Sequence, residues 1–169
     1  MTRLLPALLL SAAFASGCAN DPRPAEQQQS ELHAATAMLS GTYDVVDSRQ
    51  NYRYIAAVVI RKASHSDQID VLLRSQVFGP AVLNGKKCQG WMTPDQAHAS
   101  MMCWSSTVGI NFYKLHQAIG ADETVKDYAL IPRFAPMTIP DGDYFLETTD
   151  SGSGRVHWYV LSRNRVSSQ

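Results

Sequence analysis

The spacing of apolar residues changes period once along the chain. From Glu31 to Leu39, Leu32, Ala35 and Leu39 fall on one face at helical spacing, and Ser40-Gly41 is suited to a helix C-terminus. A short amphipathic helix is predicted there. Beyond it the pattern shortens toward alternation, in segments rich in Val, Ile, Tyr, Phe, Trp and Thr. These are Gly41–Asp47, Tyr54–Lys62, Gln68–Phe78, Lys87–Met92, His98–Ser105, Tyr128–Phe134, Asp143–Thr149 and Arg155–Ser162. Turn-forming clusters separate them: Ser64-His65-Ser66-Asp67, Leu83-Asn84-Gly85, Pro140-Asp141-Gly142 and Ser151-Gly152-Ser153-Gly154. The prediction is a mainly β domain, an antiparallel meander of about eight or nine strands with a short N-terminal helix.

Within the meander, Tyr54 to Ile60 is apolar on both faces, which suits a strand covered on its outside, with the N-terminal helix as the expected cover. Gln68 to Arg74 alternates, with Ile69, Val71 and Leu73 inward and Asp70 and Arg74 outward. Gly109 to Gly120 satisfies two templates. Phe112, Leu115 and Ile119 fit a helix ending at Gly120, whereas Ile110-Asn111-Phe112-Tyr113 fits a strand. An antiparallel sheet of this size loses its exposed edges by closing on itself, so the expected architecture resembles the small closed barrel of lipocalins and calycins, with a two-sheet sandwich as the alternative.

The chain ahead of this domain has another character. Met1-Thr2-Arg3 is a short positive head, Leu4 to Phe14 is mostly apolar, and Ala15-Ser16-Gly17 are small residues leading into Cys18. That order is a secretory signal peptide, and its apolar run is shorter than the roughly 20 residues a membrane-spanning helix needs. Ala15-Ser16-Gly17-Cys18 resembles the lipobox of bacterial lipoproteins, with Ala15 where Leu is commonest. The resemblance covers the signal alone. It implies cleavage before Cys18, acylation of Cys18 with chains such as palmitate, and, with Ala19 rather than Asp following, retention at the outer membrane with the domain in the periplasm. Residues 18–29, with Asn20-Asp21-Pro22-Arg23-Pro24 and three consecutive glutamines, read as a flexible tether, and 30–169 as one domain.

Composition narrows the function classes. Of 169 residues, 45% are apolar and 18% charged, ordinary for a globular domain, and fifteen basic side chains balance fifteen acidic ones. No cationic excess exists to neutralise phosphates, so nucleic acid is not an expected partner. Cys88 and Cys103 remain after Cys18, in a compartment that favours oxidation. If Pro94-Asp95-Gln96-Ala97 is a hairpin loop, Thr93 faces His98, and stepping back equally along both strands brings Cys88 opposite Cys103. Facing residues lie about 4.5–5.5 Å apart, so a Cys88–Cys103 disulfide is predicted.

Catalytic and metal signals are thin. His33, His65, His98, His116 and His157 are scattered, Asp141-Gly142-Asp143 has a turn's explanation, and no nucleophile elbow or glycine-rich phosphate loop occurs. No enzyme activity, metal or cofactor is expected. Two binding surfaces are candidates. Trp91, Trp104, Tyr113, Tyr144, Trp158 and Tyr159 lie in or beside predicted strands and could line a pocket for an apolar small molecule or lipid, or simply fill the barrel. The tip Ser151, Gly152, Ser153, Gly154 and Arg155 could enter a protein partner's cleft, as in a periplasmic inhibitor or an immunity protein against a wall-degrading or membrane-attacking toxin. A roomy interior floored by tryptophans would favour the first, and a filled core with projecting loops the second.

Overall fold

The computed structural model describes residues 21–63, 69–105, 110–120, 122–127 and 133–164. One helix, α1 (Ala25–Leu39), precedes ten strands: β1 (Gly41–Arg49), β2 (Ile55–Lys62), β3 (Ile69–Ser75), β4 (Ala81–Met92), β5 (Ala99–Ser105), β6 (Ile110–Gln117), β7 (Glu123–Val125), β8 (Met137–Ile139), β9 (Tyr144–Asp150) and β10 (Val156–Arg163). Eight of them close an antiparallel barrel in chain order, with β9 beside β6 and β10 returning to β1. Among the described residues, strands β7 and β8 pair only with each other. The barrel is therefore a meander with one small insertion, and the closed alternative holds over the sandwich.

Closure depends on irregularities. Register shifts fall between Val45 and Asp47 in β1, Ile55 and Ala57 in β2, Lys86 and Gln89 in β4, and Ile110 and Phe112 in β6. Such bulges add twist and bend strands around a barrel. The interior is filled: Tyr43, Tyr113, Tyr159, Leu73, Leu83 and Met101 are among its fully buried side chains. A second cluster lies outside the wall, where Met137, Ile139 and Phe134 cover Phe145, Trp158 and Val160. Strand β10 is thus buried on both faces, Tyr159 and Leu161 inward and Trp158 and Val160 outward.

Several sequence expectations change. The helix begins at Ala25 rather than Glu31, so the segment read as tether is helical over its second half. Upstream, Arg23 bonds Asp21 at 2.9 Å and the carbonyl of Gly90 at 2.9 Å. The physical reason is an unfinished edge. Beyond Asn84, β4 has left β3, and the outward Gly90 carbonyl and Met92 N–H are met by Arg23 and Glu31 instead of by a strand. Nor does α1 cover β2 from outside. It lies over the inward face of β4 and β5, with Ala35 and Leu39 in the barrel core, and closes one mouth. Gly90 permits this, because a Cβ there would stand 2.7 Å from the Cα of Leu32.

Leu83-Asn84-Gly85 is not a turn but the middle of β4. The glycine is required by a close approach: an added Cβ would meet the Tyr113 hydroxyl at 2.4 Å and the Ile69 carbonyl oxygen at 2.7 Å. The turn lies instead at 76–80, between β3 and β4. Residues 110–117 are strand, which settles the two-template stretch. Of the expected strand Tyr128–Phe134, residues 128–132 lie outside the described residues and Arg133-Phe134 form a bend. The signal peptide and Cys18 likewise lie outside them.

The hairpin arithmetic holds. Met92 pairs with Ala99, Trp91 with Ser100 and Gln89 with Met102, the Thr93 N–H donates to the His98 carbonyl at 3.0 Å, and a disulfide joins Cys88 to Cys103. The register slips only beyond it, at Lys87, whose φ is 48°.

Candidate functional site

Three described connections emerge at the end of the barrel opposite α1: 50–54 between β1 and β2, 76–80 between β3 and β4, and 151–155 between β9 and β10. The first two are locked together. The Asn51 side chain accepts from the Ile55 N–H at 2.8 Å and donates to the Ile55 carbonyl at 2.9 Å, closing its loop like a rung of a ladder. Ser75 donates its hydroxyl to the Arg53 carbonyl at 2.6 Å and accepts the N–H groups of Val77 and Phe78 at 3.1 and 2.9 Å. The Gln76 N–H donates to the Tyr54 carbonyl at 3.0 Å.

This bracing holds apolar side chains out in water. Tyr52, Tyr54, Val77 and Phe78 are each more than half exposed, at 60%, 56%, 65% and 58%. Tyr54 also carries a φ of 52°, a left-handed conformation that is uncommon for a bulky residue and persists only where its surroundings enforce it. Between the two loops lies a cleft of about 380 Å³, lined by Tyr52, Arg53, Ile55, Ser75, Phe78, Gly79 and Ala81. Rigid exposed aromatics beside a cleft are the usual make-up of a docking surface, since burial of each in a partner costs little further ordering.

The hairpin tip joins the same mouth. The Asp150 N–H donates to the Arg155 carbonyl at 2.8 Å, Gly154 takes a φ of 63°, and the Arg155 guanidinium lies 5.9 Å from the centre of the Tyr52 ring. Beneath it sits His157, nearly buried, with Nδ1 2.6 Å from the Gln50 carbonyl oxygen and Nε2 3.2 Å from an Asp150 carboxylate oxygen. His157 therefore ties the 50–54 loop to the root of the tip. The candidate residues Ser151, Gly152, Ser153, Gly154 and Arg155 thus stand at the rim beside Tyr52, a neighbour that sequence spacing did not suggest.

The proposed aromatic pocket does not assemble. Tyr113, Tyr144 and Tyr159 are inside the barrel as filling: Tyr113 donates its hydroxyl to the Ile69 carbonyl at 3.1 Å, and Tyr144 stands edge-on to Tyr43 at 4.9 Å. Burial pushes the Tyr43 and Tyr159 phenols up to about 12 and that of Tyr113 up as well. The tryptophans lie on the outer wall in three separate places. Trp158 is buried under Phe134 and Phe145 and donates to Glu147 at 2.8 Å, Trp91 lies under the Arg23 guanidinium at 5.2 Å, and Trp104 is 53% exposed. The three tyrosines fill the barrel, and strand parity sends the tryptophans outward, so that Trp158 and Tyr159 lie on opposite sides of the wall.

Other clefts have less to offer a partner. One of about 490 Å³ runs along α1 past Leu32, Thr36 and Lys62, and no large exposed apolar side chain lines it. Another, of about 470 Å³, has one mostly exposed large apolar side chain, Ile119 at 62%, and contains His116, whose Nε2 lies 3.0 Å from Glu123. Glu123 also accepts the Ile119 N–H at 3.4 Å, so this pair fastens β7 back to the end of β6. Among the described residues no group of three His, Cys, Asp or Glu side chains could hold a metal ion.

Sequence reasoning missed Tyr52, Tyr54, Val77 and Phe78. The available signal was Gly79-Pro80, a strong turn dipeptide that would have ended β3 early and left Val77-Phe78 in a loop. No family model matches the chain, and no curated protein or solved structure matches it either.

Proposed function

We propose that the chain is an outer-membrane lipoprotein whose barrel stands in the periplasm and binds a protein partner through its open mouth, without catalysis, in the manner of an inhibitor or immunity protein. One observation carries this reading. The barrel axis is filled by Tyr43, Tyr113, Tyr159 and their aliphatic neighbours, while Tyr52, Tyr54, Val77 and Phe78 are held exposed on braced loops. An interior packed with these side chains supports the exposed rim, rather than an internal chamber for an apolar small molecule or lipid, as the binding surface.

The anchor fits the same picture. Only Ala19 and Asn20 separate Cys18 from Asp21, whose neighbour Arg23 is fixed to Gly90 at the closed end. Three residues of chain reach about 10 Å at most. An acylated Cys18 would therefore hold the α1-capped end against the bilayer, closer than a flexible tether would, and turn the mouth away. Tilted strands of this length put the rim roughly 20 Å farther out.

The test is site-specific photo-crosslinking in cells, with the reactive group at position 52 or 78 and a control at Gln29 on α1. Discrete protein adducts from 52 and 78 and none from 29 are expected. Adducts to lipid alone, or the same protein adducts from all three positions, would overturn the reading. Acylation is tested separately: Cys18→Ser should abolish incorporation of a labelled fatty acid and release the protein from membranes.

A further inference from the structure

The formal charge of zero conceals a division between the two ends of the barrel. The three described connections at the open mouth, 50–54, 76–80 and 151–155, contain Arg53 and Arg155 and no Asp or Glu. The described parts of the connections at the closed end contain Asp95, Asp122, Glu123, Asp127, Asp141 and Asp143 against Lys126 and Arg133, and of these Asp127 pairs with Arg133 at 2.8 Å. Nearby carboxylates do not cancel the mouth's cations. Asp47 pairs with Arg49 at 2.9 Å and Asp150 faces His157, whereas Arg53, Arg155 and the neighbouring Arg74 are exposed. Arg53 lines the cleft beside Tyr52 and Phe78, and Arg155 lies over the Tyr52 ring.

Resting on the mouth as the binding surface, we infer that its partner presents an acidic protein segment, with one apolar side chain seated between Tyr52 and Phe78 and carboxylates reaching Arg53 and Arg155. A guanidinium offers a planar fork that matches a carboxylate, and one braced against an aromatic ring loses less freedom on binding. The cleft supplies the complementary apolar half. Its volume of about 380 Å³ suits a side chain rather than a folded element. An extended segment with acidic residues on both sides of a Phe or Leu satisfies both halves at once.

The probe is a dye-labelled peptide, Glu-Glu-Phe-Glu-Glu, titrated with the lipidated chain in neutral detergent and followed by fluorescence anisotropy. Its comparison is Gln-Gln-Phe-Gln-Gln. The acidic peptide should bind at least about tenfold more tightly, and the advantage should shrink as salt rises from about 50 to about 300 mM. Arg53→Gln with Arg155→Gln should remove the advantage while leaving the melting temperature unchanged. Equal affinity for both peptides, or an advantage that survives the double substitution, would overturn the acidic assignment. So would displacement of the peptide by phosphatidylglycerol vesicles more effectively than by unlabelled peptide, which would assign the mouth to lipid. Phe78→Ser separates the two levels. If it weakens both peptides while charge makes no difference, the mouth stands and the acidic partner falls, and if it weakens neither, the mouth reading falls with it.

Discussion

The two ends of the barrel solve the same problem in opposite ways. At the closed end the polar groups find partners, and Ile119 is the one large apolar side chain there, among the described residues, that stays mostly exposed. Arg163 donates to the Ser40 carbonyl at 3.3 Å, to the Met38 carbonyl and to the Tyr43 hydroxyl at 2.7 Å, and so satisfies helix C-terminal acceptors with a cation where the helix dipole favours one. Tyr43 in turn donates to the Leu39 carbonyl at 2.7 Å. At the open end the backbone is just as well bonded, through Asn51, Ser75 and His157, but Tyr52, Tyr54, Val77 and Phe78 remain in water. Loops that are braced yet keep their apolar side chains exposed contribute little to folding. On the proposed reading, their order serves to dock a partner. The comparison predicts that substitutions at the closed end act on stability and those at the mouth on binding.

The largest effect is expected at Gly90. Its missing Cβ would lie 2.7 Å from the Cα of Leu32 and 3.1 Å from the Ala35 Cβ, and backbone cannot move aside as a side-chain tip can. Gly90→Val should lift α1 from the mouth and lower stability by about 3 kcal/mol, measured as a drop in the urea midpoint. It should also expose Leu39 and Ala35 to a hydrophobic dye. An unchanged midpoint would mean that α1 contributes nothing to closing the barrel.

Next comes the disulfide. Cys88 and Cys103 lie 15 residues apart and join β4 to β5 just where the register slips. A loop of that length restrains the unfolded chain by about 3 kcal/mol, so Cys103→Ala should lower the melting temperature, as should reduction of the parent protein. The crosslinking pattern at positions 52 and 78 should persist below the new transition, because neither sulfur is at the mouth. Two reactive thiols in the denatured, unreduced protein would show that the bridge does not form.

That pair also marks how far sequence reasoning reaches. Facing positions in an antiparallel hairpin follow from counting, so the Cys88–Cys103 register was legible, as was the meander and its closure. Local counting fails where a residue answers to something distant. Gly85 reads as a turn residue, yet it is glycine because Tyr113 and Ile69 crowd it from two other strands. Arg23 and Glu31 read as solvated charges on a tether and a helix, yet they serve the free edge of β4. The mouth was hidden by the same error that misplaced the turn. With β3 carried through Phe78, two exposed apolar residues passed for strand interior. Only the position of the Ser151–Arg155 tip at the rim was foreseeable, because any hairpin tip must lie at one end of a barrel.

Alkaline pH tests the filled interior between the two ends. Burial raises the phenols of Tyr43, near the closed end, and Tyr159, nearer the mouth, to about 12. The unfolded chain releases these protons near the ordinary value of about 10. Because the folded values are the higher, the stability tied to these groups is fully present below pH 10 and is lost as pH rises toward about 12. Each phenol accounts for about 3 kcal/mol of that loss when it is complete. Urea midpoints at pH 8 and pH 11 should therefore differ. Tyr43→Phe and Tyr159→Phe should each reduce the difference, and a midpoint flat across that range would deny that the phenols are sealed from water.

The smallest effect on stability, and the largest on function, is expected at the rim itself. Tyr52→Ser with Phe78→Ser removes two exposed rings and leaves every hydrogen bond described for the two loops in place, since those bonds use backbone groups and the side chains of Asn51, Ser75 and His157. Exposed positions of this kind change stability by no more than about 0.5 kcal/mol. The melting temperature should therefore hold, and removal of an apolar patch should if anything raise solubility. Binding should behave otherwise. Burying two aromatic side chains in a partner contributes several kcal/mol, so their loss should weaken association by at least about a hundredfold. A double variant that melts normally and still captures its partner at full strength would place the binding surface elsewhere. A variant that unfolds would show that the rim, like the closed end, is there to hold the barrel together.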